Sequence, residues 1–476
     1  MKKYIFQTLT FLLVLLISLS AYTQSNEKDG YRIEANMENL SNTELYLGFH
    51  HGNRQYIKDT TELDDNGHGI FSGDEKLEQG IYLIITPEKK YFELLIGEDQ
   101  HFAFSANPEN FIETLEFEGS EINEQFNDYQ KFMGRQNKKS QELRNRLQAN
   151  EENEDSTAIL KEQIQELDQE VKNRWKKIVD KHPNTILATI VKSMQTPETP
   201  DFEIADTIEN KDSVRWVKRY QYQKEHYFDN LDLSDERLVR TPIIYNKINN
   251  YFENIVLQNP DTVIKEVDRV IDMTKDNEET FQFITRYLLN RYQESNIMGM
   301  DKVFVHIAEK YYLSGKADWV NDSMLQKMKD RVNKMKPNLI GNKAPEIKLP
   351  TIDRKTANLH EIESEYTVIY FFEPDCSHCK KISPKLWELY EKYDRSELEI
   401  FAVYTQTDEE EWKEYINENN FDWINVWDPQ QTSGFRSKYD IYSTPTIYLI
   451  DKDKQIVAKR IDFDSLKEML QQKIGN

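Results

Sequence analysis

Between residue 30 and about residue 120, short apolar runs alternate with turn residues, at 31–35, 44–48, 69–72, 81–85, 91–96 and 101–104. β-Branched and aromatic side chains dominate these runs, which predicts strands. Asp64-Asp65-Asn66-Gly67 is the clearest turn among them. It lacks the alternating ligands and the distal glutamate of an EF-hand, so it reads as a hairpin connection. His50, His51 and His68 have no metal-ligand spacing and read as turn or surface residues. Residues 24–120 are therefore expected to form an antiparallel β domain of sandwich or partial-barrel type.

The pattern changes after residue 121. No glycine or proline occurs between Gly134 and Pro183, and Leu160, Ile164, Leu167, Val171, Trp175 and Ile178 recur at intervals of four and three. That spacing puts them on one face of a long amphipathic helix. The polar interval 150–156 divides it into a helical hairpin, and so short a stripe suits a packing seam within the domain better than a dimeric coiled coil. Helical periodicity continues from 186 to 335, with prolines such as Pro242 and Pro260 near helix starts. Tyr245, Tyr251, Phe252, Phe281, Phe283, Tyr287, Tyr311 and Tyr312 read as packing residues of this α-helical domain, 121–336. From residue 337 strands and helices alternate in the order β-α-β-α-β-α-β-β-α, which predicts a mixed sheet covered by helices.

Composition narrows what such a chain can do. At 476 residues and 38% hydrophobic content it is too long for one core, and two to four domains are expected. Eighty-four acidic against 61 basic residues give a net charge of -23, which disfavours nucleic acid and anionic lipid as partners. Glycine is scarce at 15 residues, and neither a dinucleotide fingerprint nor a phosphate-cradling loop occurs, so no nucleotide or other cofactor is expected. At the N-terminus, Lys2 and Lys3 precede the apolar run 11–19, and small or weakly polar residues follow. This is the layout of a secretory signal peptide, 1–23, cut near 21–23. The run is short for a membrane span, which disfavours the alternative of an uncleaved anchor. A periplasmic chain, soluble after cleavage and carrying about -25, is the expectation.

The two cysteines, Cys376 and Cys379, exclude a disulfide framework and stand together in Phe371-Phe372-Glu373-Pro374-Asp375-Cys376-Ser377-His378-Cys379-Lys380. An apolar strand precedes them and a helix begins at about Ser377. Unpaired N–H groups and the helix dipole there favour a thiolate at Cys376. Cys379, one turn later, can resolve a mixed disulfide. His378 would stabilise the reduced form and make the disulfide more oxidising. Asp375 reads as the helix cap.

Ile340-Gly-Asn-Lys-Ala-Pro345, the Cys-Ser-His-Cys segment after its strand, and Ser443-Thr444-Pro445-Thr446 agree in order and spacing. Together they resemble the thioredoxin-fold thiol-disulfide oxidoreductases, in the exported TlpA/ResA-like branch. The resemblance covers 338–476 and gives the last domain, 337–476, a thioredoxin-like α/β fold. It implies that Pro445 is the cis-proline facing the disulfide and Thr444 the residue whose backbone pairs with the substrate polypeptide. It also implies protein thiols or disulfides as substrates and a membrane-linked thiol-disulfide donor or acceptor as partner. More loosely, the β-rich and helical regions resemble the uncharacterised N-terminal domains that precede such modules. The chain departs from the family at Asp375, where tryptophan is usual, and at Tyr370, which takes the place of a buried acid. Glu373, or a water, is the candidate to move the proton instead. A peroxiredoxin needs threonine or serine at that same position, three residues before the first cysteine.

The leading function is thus exported thiol-disulfide exchange with proteins. The alternative is a binding or scaffold protein in which the pair is a structural disulfide. A potential well below about -300 mV would mark the latter. The sequence leaves the redox direction open, since His378 favours oxidation and the family branch favours reduction. A metal site would need two further ligands near the pair.

Overall fold

A computed structural model describes residues 30–150 and 153–475. The signal-peptide stretch lies outside the described residues. Two compact units form: the chain up to Val256 with Met273–Phe281, and Leu257–Asp272 with the residues from Gln282 onward. The division falls inside the helical region, so span 121–336 contributes to both units.

In the first unit, β1 (Tyr31–Met37), β4 (His68–Gly73), β7 (His101–Ala106) and β8 (Glu116–Glu118) form one sheet in the order β4-β1-β7-β8. The other runs β3-β2-β5-β6, from β2 (Glu44–His51), β3 (Arg54–Glu62), β5 (Gly80–Ile85) and β6 (Tyr91–Ile96). Period-two alternation turns Ile33, Ala35 and Met37 of β1 inward, onto Phe71, Leu94, Phe102 and Phe104. All pairs are antiparallel except β1 with β7, which is parallel. The reason is parity: direction reverses at each connection, so the first and seventh strands run the same way when they meet.

The 64–67 turn joins β3 to β4, with the Asp64 carboxylate accepting from the Asn66 and His68 N–H groups at 2.8 and 2.9 Å. Gly67 has φ of +78°, and a Cβ there would stand 2.1 Å from the Met37 carbonyl oxygen. His50 and His68 lie on different sheets, facing Glu93 at 3.5 Å and Glu34 at 3.8 Å.

Helices α1 (Glu121–Ala149) and α2 (Glu154–Lys181) pack on one another. Leu160, Leu167 and Ile178 of the apolar stripe are buried, and Trp175 Nε1 donates to the Tyr129 hydroxyl at 3.1 Å. Asn153 caps α2 by accepting from the Ser156 N–H. Ile81 and Leu95 of the sheet pack with Phe126, Ile178 and residues of α3 (Ile186–Met194). Helices α4 (Lys211–Glu225) and α5 (Pro242–Asn250) follow, the latter with proline in its first turn.

The second unit draws on α6 (Pro260–Asp272), α7 (Glu278–Gln293) from Gln282 onward, α8 (Asp301–Ile307) and α9 (Asp322–Met335). Val263, Val267, Val270 and Ile271 make one face of α6 fully buried, and Tyr311 and Tyr312 are core residues. Beyond a small hairpin of β9 (Lys348–Pro350) and β10 (Thr356–Asn358) stands a five-stranded sheet in the order β13-β12-β11-β14-β15. It comprises β11 (Tyr366–Phe372), β12 (Leu398–Tyr404), β13 (Ile424–Trp427), β14 (Thr446–Asp451) and β15 (Ile456–Lys459). β12 and β13 run parallel to β11, and β14 antiparallel to it.

Val368, Tyr370 and Phe372 of β11 point into a core shared with α10 (Ser377–Tyr390), α11 (Glu409–Asn419) and α12 (Phe463–Ile474). Ile369 and Phe371 point into the opposite core. A central strand buried on both faces holds its C-terminal end rigidly, and the cysteines emerge from that end. Among the described residues no helix is long and apolar enough to cross a membrane.

Candidate active site

β11 ends at Phe372, and α10 begins five residues later at Ser377. The cap is Cys376 itself, with extended backbone at φ -71° and ψ 118°: its Sγ accepts from the Cys379 N–H at 3.3 Å. This corrects the assignment of the cap to Asp375, whose side chain is exposed. A cap side chain reaches the N–H two or three residues on, and Cys379 lies three beyond Cys376 but four beyond Asp375.

The Thr444–Pro445 peptide bond is cis, and the Cys376 thiol donates to the Thr444 carbonyl oxygen at 3.3 Å. Cys376 is partly exposed, Cys379 is fully buried, and both are free thiols. The site is thus built by the β11–α10 junction on one side and the segment entering β14 on the other.

These surroundings separate the two sulfurs. Burial pushes the Cys376 thiol up, but hydrogen bonds from the Cys379 thiol and N–H, from the Thr444 side chain and from the His378 N–H outweigh it, and the net direction is down. Burial pushes Cys379 up to about 12, reinforced by its bond to Cys376 and opposed by the Glu373 N–H. One accessible sulfur therefore ionises readily, while its neighbour keeps its proton inside the core. Such a pair can attack an external sulfur through the first and close a disulfide through the second.

The other sequence candidates sit differently. The His378 side chain is exposed, and its contribution to Cys376 is the backbone N–H. The Glu373 carboxylate accepts from the Thr405 hydroxyl and stands 3.8 Å from Arg436, which itself donates to the Thr405 carbonyl at 2.6 Å. What Glu373 presents to the cysteines is main chain: its carbonyl accepts from the Cys376 N–H at 3.3 Å.

Sequence reasoning missed a polar pair behind Cys379. The hydroxyls of Tyr370 and Ser383, both fully buried, are 2.8 Å apart, and Tyr415 also hydrogen-bonds Ser383. The signal was present in the spacing. Ser383 follows Cys379 by four, on the same helical face, and Tyr370 shares strand parity with Phe372.

Residues 340–459 match the model of the AhpC/TSA family, a span that includes both cysteines and Pro445. Over 132 residues the chain is 27% identical to the thiol-disulfide oxidoreductase ResA of Bacillus thuringiensis, covering 28% of this chain and 75% of ResA, and equally to that of Bacillus anthracis. The C-terminal domain is a thioredoxin-fold thiol-disulfide oxidoreductase.

Among solved structures, the oxidoreductase domain is similar to a domain of a possible thiol-disulfide isomerase from Cytophaga hutchinsonii. Identity is 32%, coverage 29% of this chain and 93% of that one, and the TM-score 0.27. A thioredoxin-like protein from Bacteroides caccae is 20% identical over 60% of this chain and 100% of its own, with a TM-score of 0.45. N-terminal to the oxidoreductase domain, residues 31–126 and 180–338 match two domains of unknown function, DUF4369 and DUF5106.

Proposed function

We propose that this chain is an exported enzyme that exchanges disulfides with protein substrates through Cys376 and Cys379. The observation that carries the reading is the asymmetry of the pair beside Thr444 and Pro445: a partly exposed thiol shifted toward ionisation and a buried one held protonated. In the reducing direction the Cys376 thiolate attacks one sulfur of a substrate disulfide. That S–S bond breaks, and the second substrate sulfur leaves as a thiolate and takes a proton. Cys379 then loses its proton and attacks Cys376 Sγ, which releases the first substrate sulfur as the second thiol. Substrate gains two electrons and two protons, and the enzyme ends as the Cys376–Cys379 disulfide. A membrane-linked thiol-disulfide partner restores it, and the oxidising direction is the same sequence reversed. The sulfurs alone carry the electrons, so no cofactor enters.

Backbone groups of Thr444 next to Pro445 pair with the substrate polypeptide once the Cys376 thiol has reacted and released the Thr444 carbonyl. The segment 1–23 directs the chain to the periplasm, where disulfides persist. Two measurements test this. Cys376→Ser abolishes insulin reduction, and Cys379→Ala accumulates mixed disulfides with protein partners. Full activity in Cys376→Ser would sink the assignment. An equilibrium potential well below about -300 mV would make the pair structural instead.

A further inference from the structure

Tyr442 is 64% exposed, yet it is held in place. Arg331, on α9, donates to the Tyr442 hydroxyl and to both carboxylate oxygens of Asp440, the latter at 2.7 and 2.9 Å. Arg460 donates to the same carboxylate at 2.6 Å. The two guanidinium carbons lie 5.3 and 5.7 Å from the Tyr442 ring centroid. The Asp440 side chain is only 2% exposed, so both arginines are anchored on a buried charge. An exposed tyrosine ordinarily samples several rotamers. Here three side chains fix one orientation, and a polypeptide lying on the ring would not have to order it first.

The position matters as much as the rigidity. Tyr442 precedes Thr444 by two residues, which spans at most about 7 Å of chain. The Thr444 carbonyl oxygen is 3.3 Å from Cys376 Sγ. Chain connectivity therefore keeps the ring within about 17 Å of the accessible sulfur, on the segment that supplies that sulfur's hydrogen-bond acceptor. Its rim is cationic: two arginines, 33% and 40% exposed, face one buried carboxylate, in a chain whose net charge is -23. Tyrosine and arginine together are the side chains that most often dominate the energetics of protein contacts.

We propose that Tyr442, braced by Arg331 and Arg460, is a specificity-determining surface on which the polypeptide flanking a substrate cysteine lies, favouring flanks that carry carboxylates. Arg331 is a positioning residue supplied by the helical segment that precedes the oxidoreductase domain. The inference rests on the reading of Cys376 as the attacking sulfur.

The test uses the reduced full-length chain and single-cysteine peptides activated as 2-thiopyridyl mixed disulfides, one with glutamates beside the cysteine and one with lysines. Release of pyridine-2-thione gives the rate of attack by Cys376, and neutral 2,2′-dithiodipyridine reports the sulfur without a polypeptide. The wild-type chain is expected to react about fivefold or more faster with the glutamate peptide than with the lysine peptide. Tyr442→Ala should lower the glutamate-peptide rate about tenfold, the scale of one interface anchor. Its rate with dithiodipyridine should stay within about twofold. Tyr442→Phe keeps the ring and should keep most of the peptide rate. Arg460→Ala should bring the two peptides close to equal rates. Arg331→Ala should slow the peptides and spare dithiodipyridine, with Arg331→Lys restoring part of the loss. A purely structural role for Arg331 would instead move the peptides and dithiodipyridine together. Equal wild-type rates for the two peptides, or an unchanged peptide rate in Tyr442→Ala, overturns the proposal. A wild-type chain whose Cys376 reacts with none of the three disulfides refutes the underlying exchange reading as well, a different pattern from loss of peptide preference alone.

Discussion

Pulse alkylation of the reduced chain should separate the two cysteines by their positions in the fold. An unperturbed thiol near pKa 8.5 is about 3% thiolate at pH 7. Cys379, held at about 12, would be thiolate in only about one molecule in 10⁵, roughly three thousandfold less. Its side chain is also fully buried, so steric exclusion adds to the ionisation penalty. Cys376 is shifted the other way and is partly exposed. Brief iodoacetamide pulses at a series of pH values, quenched and read by mass spectrometry, give a rate for each sulfur. The folded chain should be labelled at Cys376 alone near neutrality, with a midpoint below that of an ordinary thiol. In urea both sulfurs should react with ordinary midpoints. Comparable labelling of Cys379 in the folded chain, or a Cys376 midpoint at or above the ordinary value, would refute the electrostatic account of the site.

Three other outcomes follow from particular contacts. Between reduced and oxidised protein, the stability difference should pass through a maximum with pH. Lowered Cys376 adds stability as pH climbs toward the ordinary thiol value, because the unfolded chain still holds its proton there; raised Cys379 removes stability from that value toward about 12, where the folded chain holds the extra proton. Denaturant titrations of both redox forms across that range check it, and a monotonic difference contradicts it. Ser383→Ala should cost about 1–3 kcal/mol by stranding the Tyr370 hydroxyl in the core, whereas Tyr370→Phe should cost less because Ser383 keeps Tyr415. Urea unfolding that gives the reverse order counts against this network. Gly67→Ala should destabilise the first unit by more than about 1 kcal/mol, since φ is positive and the new Cβ meets a backbone oxygen; an unchanged thermal midpoint would show that the turn relaxes freely.

Much of this fold was legible because burial left a period in the sequence. β11 is apolar at nearly every position since both its faces are covered, and the α2 stripe shows its packing face. β3 was not legible: nearly every residue of Arg54–Glu62 is exposed, so no inward face imposes alternation on the sequence. β8, three residues long, is too short to show a period. At the candidate site, spacing and context single out Cys376 and Cys379 as the candidate pair. Their electrostatic asymmetry was not legible, because it arises from how deeply the fold buries each sulfur and from the hydrogen bond between them, which lowers Cys376 and raises Cys379. The brace on Tyr442 was hidden because Arg331 and Asp440 are separated by 109 residues.

Because Cys376 is both the accessible sulfur of the pair and the cap of α10, the first turn of that helix would register any change at that sulfur. A thiolate is a far stronger acceptor for the Cys379 N–H than a sulfur already shared with another sulfur. Each stage of the proposed exchange would therefore change how tightly one amide proton is held. Its chemical shift and exchange rate would serve as a built-in gauge of the redox state, readable without any added label.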